Sequence, residues 1–76
     1  MRRAFVLINT NPGTETVLQK ELKQVEGIVG VYQVYGVYDM VVVIEAESEE
    51  QVKHIVFSQI RTLKYLRSTL TLNVAS

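Results

Sequence analysis

At 76 residues the chain is one domain near the lower limit for a self-sufficient core, and the absence of cysteine excludes disulfides, thiolate metal clusters and thiol chemistry. Eight basic and eight acidic residues cancel, so the charge footprint of a nucleic-acid or anionic-membrane binder is missing. Arg2-Arg3 precedes only five apolar residues, Ala4 to Ile8, too short for a secretory leader or for the roughly 20 of a membrane span.

The expectation is therefore a cytoplasmic protein. Arg3 to Asn9 carries the β-formers Phe5, Val6 and Ile8 and reads as the first strand. Asn11-Pro12-Gly13 is turn chemistry, and Thr14 or Thr16 is the expected N-cap of a helix. Val17, Leu18, Glu21, Leu22 and Val25 recur at helical spacing, with the apolar members on one stripe. Gly27 is the expected stop.

Ile28 to Tyr35 reads as the second strand, and Gly36 divides it from the third, Val37 to Ala46. Two strands this close in sequence predict an antiparallel hairpin. Met40 to Ile44 are all apolar; alternation sends Met40, Val42 and Ile44 to one face, Val41 and Val43 to the other. Ser48-Glu49-Glu50-Gln51 is a capping box, with both glutamates at the positive end of the helix dipole. Val52, Ile55, Val56, Ile60 and Leu63 supply the inward stripe of the second helix, with Arg61 and Lys64 near its negative end. Leu66 to Val74 alternates Thr69, Thr71 and Asn73 against Leu70, Leu72 and Val74. The order β-α-β-β-α-β predicts an α+β, ferredoxin-like fold: a four-stranded antiparallel sheet with two helices on one face.

Two helices cover one face only, yet the first strand is apolar on both, with Ala4, Val6 and Ile8 against Phe5 and Leu7. The third strand shares the property. Fully burying a Val or Leu side chain is worth about 1.5–3 kcal/mol, so several left on open sheet are a large unused driving force. The economical cover is a second copy of the chain, which predicts a homodimer packed sheet to sheet.

Asp39 stands at the mouth of the apolar strand. It either caps the hairpin by accepting nearby amides or accepts from a cationic ligand group such as an ammonium. Thr69 and Thr71, two apart, share a face; they either bond to neighbouring strands or hold a small polar ligand at the rim of the dimer interface. His54 stands alone, so it reads as a surface histidine rather than part of a metal site. Glu45, Glu47, Glu49 and Glu50 read as a solvated face around a helix start. Tyr32, Tyr35, Tyr38 and Tyr65 lack the basic–glycine–aromatic signature of an RNA-stacking sheet, so no direct nucleic-acid contact is expected. No Ser/His/Asp set, phosphate-cradling loop or helix-turn-helix is visible, and neither a metal nor a cofactor is expected.

The hairpin Gly36-Val37-Tyr38-Asp39, the apolar strand after it, the helix, and the closing Ser68-Thr69-Leu70-Thr71 together resemble the effector domain of the leucine-responsive regulator (Lrp/AsnC) family. That module is the RAM domain, for regulation of amino-acid metabolism. Asn11-Pro12-Gly13 and the run from Val29 to Val34 also fit, so the resemblance spans essentially the whole chain, residues 1–76. It implies a non-enzymatic module of transcriptional regulation that pairs through its sheets, assembles into higher oligomers and binds an amino-acid effector between subunits. Carried over by position, Gly36, Tyr38, Asp39 and Met40 line the cleft with Thr69 and Thr71. Asp39 and backbone groups then hold the ligand's ammonium and carboxylate, and Met40 meets its side chain. Tyr35 stands where the family often has a smaller polar residue. Full-length members place a helix-turn-helix ahead of this module, whereas strand one here begins at residue 3, as in the stand-alone form. That form implies either hetero-oligomers with full-length relatives or an independent sensor. Two other readings stay open: a small dimeric ferredoxin-like enzyme resembling monooxygenases, with His54 and the tyrosines as its only candidates, and a ligand-free assembly subunit.

Overall fold

Strict alternation on the central strand decides the architecture. In the computed structural model, which describes residues 1–74, β1 (Arg2–Thr10) buries Ala4, Val6 and Ile8 completely and leaves Phe5 and Leu7 half-buried. The remaining elements are α1 (Glu15–Lys23), β2 (Ile28–Gln33), β3 (Met40–Ala46), α2 (Glu49–His54) and β4 (Leu66–Asn73). The sheet is antiparallel with order β2-β3-β1-β4. This is the expected βαββαβ ferredoxin-like fold. Met40, Val42 and Ile44 join the β1 residues in one core with Leu18, Leu22, Val52, Ile55, Val56 and Ile60. Both helical segments therefore pack on the same face of the sheet.

Helix α2 begins as its capping box requires. The Gln51 amide donates to Ser48 Oγ at 3.2 Å. The Gln51 side chain returns the contact one residue further back, accepting from the Glu47 amide at 2.8 Å. Ser48→Ala is expected to lower unfolding free energy by about 1 kcal/mol in denaturant titration. At the other helix, Thr14 is the N-cap, but its hydroxyl donates to the Asn11 carbonyl at 2.6 Å instead of accepting from the helix. The threonine thus ties the Asn11-Pro12-Gly13 turn. Gly27, beyond the helix at φ +96°, lies so close to Ile55 that an added Cβ would come within 2.6 Å of its Cδ1.

Two features differ from the sequence expectation. The hairpin loop is longer than a single glycine: β2 ends at Gln33, β3 starts at Met40, and Val34 N–H closes the loop on Asp39 O at 2.9 Å. Tyr35 and Val37 look like strand residues, but here they have nothing to pack on and are fully and 84% exposed. The second helix also changes pitch, continuing from His54 as a π-helical turn over Ile55–Ile60, with Arg61 N–H donating to Val56 O at 2.8 Å. Its inward residues Ile55, Val56 and Ile60 are those expected.

Candidate functional site

The helix-free face carries its apolar residues in two rows. Tyr32, Val41, Leu7 and Leu70 lie side by side across all four strands; beside them run Gly30, Val43, Phe5 and Leu72. Tyr32 lays its ring over Gly30, where an added Cβ would meet it at 2.8 Å. Tyr32, Leu70 and Leu72 are 58%, 45% and 48% exposed. One side of this patch is bounded by the Arg3–Glu45 ion pair. On the other, Asn9 Nδ2 donates to Ser68 Oγ at 3.3 Å. An apolar centre with a polar rim is the anatomy of a protein–protein interface.

At the upper end of the sheet, Asp39 is anchored by three hydrogen bonds. Its Oδ2 accepts from the Thr10 amide at 2.9 Å. Its own amide donates to Ile8 O at 2.9 Å, and its carbonyl accepts from Val34. Asp39 does act as a cap, but on the end of β1 rather than within its own hairpin. It is half-buried, and one carboxylate oxygen serves that cap. Gly36 sits at the exposed tip with φ +130°, Tyr38 is half-buried, and Met40 is fully buried against the helices.

Thr69 and Thr71 face the helix side of β4, opposite Ile8 and Val6, and both are half-exposed. Met40 and Thr69 flank Ile8 on opposite sides, so two inter-strand steps, about 10 Å, separate them. The six candidate residues therefore share one end of the molecule but form no single enclosed pocket within it.

A hollow of about 800 Å³ lies at the opposite end, lined by Glu26, Glu45, Glu47, Gln51 and His54 among others. His54 is exposed, and its Nδ1 lies 3.3 Å from Ser58 Oγ. This hollow is a groove outside the packed core, not a chamber between sheet and helices. Among the described residues, no three His, Cys, Asp or Glu side chains are grouped to hold a metal, and no helix is long and apolar enough to cross a membrane. A smaller hollow brings together Arg61 and Arg67, which sequence reasoning did not pair. They are six positions apart and on different elements, and nothing in their spacing announces the meeting.

The chain matches the Lrp/AsnC ligand binding domain over residues 3–76. No curated protein matches it. TTHA0845 from Thermus thermophilus has a similar structure, with TM-score 0.93 and 28% identity over 97% of this chain and 92% of that one. E. coli AsnC shares the fold at TM-score 0.92 and 20% identity, the match covering 99% of this chain and 51% of AsnC. The Neisseria meningitidis transcriptional regulator NMB0573, solved as a complex with L-Met, also shares it, at TM-score 0.86 and 9% identity over 99% of this chain and 50% of that one. Sequence and fold agree: the chain belongs to the Lrp/AsnC ligand-binding domain family, a regulatory module of transcriptional regulators.

Proposed function

We infer that this domain senses an amino acid at a seam between copies of itself, with no chemistry of its own. The observation that carries this reading is the half-buried Asp39 carboxylate, held by the Thr10 amide through Oδ2 alone, beside the exposed hairpin tip. Tyr38, Asp39, Thr69 and Thr71 are each half-exposed, and a second subunit laid against this end of the molecule would enclose a zwitterion there. The free carboxylate oxygen of Asp39 suits an ammonium, since charge-assisted hydrogen bonds are roughly twice as strong as neutral ones. Gly36 lets backbone approach the ligand, Tyr38 borders the same rim, and Thr71 extends the hydroxyl pair down β4, whereas Met40 lies behind them in the core. Tyr35 and Val37, exposed on either side of Gly36, give the hairpin an apolar tip for a neighbour to cover. The L-Met bound by the Neisseria meningitidis regulator supports an amino acid as the effector class.

The two-row apolar face supports homodimerisation through the sheets, and the exposed hairpin supports assembly beyond the dimer. Calorimetric titration with the common amino acids tests the reading: at least one is expected to bind and to change the oligomer size. Silence with all of them at millimolar concentration would count against it.

The enzyme alternative required a deep cavity beside His54. The hollow there is an open groove, and the core between sheet and helices is filled by residues of 0–6% exposure. That observation favours the sensing reading.

A further inference from the structure

The hollow of about 420 Å³ between the end of the π-helical turn and β4 is lined by Arg61, Leu66, Arg67, Ser68 and Thr69. Two arginines line this concavity, and each has a local reason to be there. Asn9 pairs with Ser68 and Thr10 with Leu66, which leaves Arg67 as the unopposed residue of a β-bulge. Bulges re-aim the side chain they carry and concentrate beside functional sites. Arg61 follows the π-helical turn and stacks over the Phe57 ring, 5.0 Å from its centroid. Stacking uses the flat face of the guanidinium and leaves its edge donors for a planar or tetrahedral oxyanion.

Neither arginine is neutralised by the protein. Among the described residues the ion pair is Arg3–Glu45, at the far end of the sheet. The carbonyl end of the helix nearby carries roughly half a negative charge, which two whole positive charges outweigh.

We propose that this hollow is an anion-binding subsite for a carboxylate or phosphate group of a small ligand, held by Arg61 and Arg67 with the Thr69 hydroxyl donating. It goes beyond the amino-acid reading, because it specifies an oxyanion whatever molecule carries it.

The test is calorimetric titration of the intact chain and of Arg61→Gln and Arg67→Gln with inorganic phosphate, L-glutamate and L-glutamine. Both arginines are exposed, so the variants keep the fold, and thermal melting verifies it. Phosphate or L-glutamate is expected to bind, L-glutamine at least about tenfold more weakly than L-glutamate, and each variant to weaken the anion by at least about tenfold. Added salt is expected to weaken binding in the same direction. Phosphate binding alone identifies free phosphate as the source of the group; L-glutamate binding alone identifies a side-chain carboxylate. Failure of both anions to bind, or binding that both variants leave unchanged, overturns the subsite. An amino acid that binds, is lost in Asp39→Asn and is untouched in Arg67→Gln would overturn this inference while leaving the sensing reading intact. Arginine-dependent phosphate binding with no amino-acid binding would do the reverse.

Discussion

Leu7→Lys is expected to separate the subunits while leaving each one folded. Leu7 lies on the central strand, between Val41 and Leu70 in the row that crosses the whole sheet. In a lone subunit it is half-exposed, so a lysine there can lay its stem along the neighbours and keep its ammonium in water. Across a two-fold interface the same ammonium faces low dielectric and its own symmetry mate. The effective penalty for burying an unpaired ion is several kcal/mol. A cost of about 3 kcal/mol already weakens association more than a hundredfold. Leu7→Met preserves volume and should cost under about 1.5 kcal/mol. Sedimentation of the three proteins at equal concentration checks this. A lysine variant that sediments with the wild type would mean that the apolar face is not the interface.

Asp39→Asn and Asp39→Ala are expected to part company. The carboxylate has a structural duty, accepting from the Thr10 amide through Oδ2. Asparagine can keep that duty with its side-chain carbonyl. Alanine leaves a half-buried amide without a partner, at a cost of about 1–3 kcal/mol. Stability should therefore fall in alanine and change little in asparagine. Ligand binding should fall in both, because either change removes the charge that holds an ammonium. Exchanging a charge-assisted bond for a neutral one is expected to weaken the effector by about tenfold or more. Chemical denaturation read beside calorimetry separates the two roles. Unchanged affinity in Asp39→Asn would reduce Asp39 to a cap.

The features legible from sequence were those with a repeating pattern. Ala4, Val6 and Ile8 alternate with Phe5 and Leu7, and that pattern alone places a strand buried on one face and apolar on the other. Ser48 and Gln51 mark a helix start because the amide they serve is three residues away. Where the pattern stopped, so did the reading. Tyr35 and Val37 have strand-forming side chains, but nothing in the sequence says whether a neighbour exists for them to pair with. Arg67 sits in a bulge created by a mismatch between β1 and β4, a property of two strands and not of either one. The π-helical turn leaves the apolar spacing of Ile55, Val56 and Ile60 unchanged, so spacing could not announce it. Thr69 and Thr71 were legible as a pair on one face. That this face is the helix side was not, because it depends on their register with β1.

The homodimer proposed for this chain depends on a second copy meeting the open sheet. Sedimentation equilibrium of the wild-type chain, without ligand and across micromolar concentrations, tests that most directly. A mass at least twice the subunit's 8.6 kDa is the expected result. A single species of 8.6 kDa at the highest concentration would contradict it.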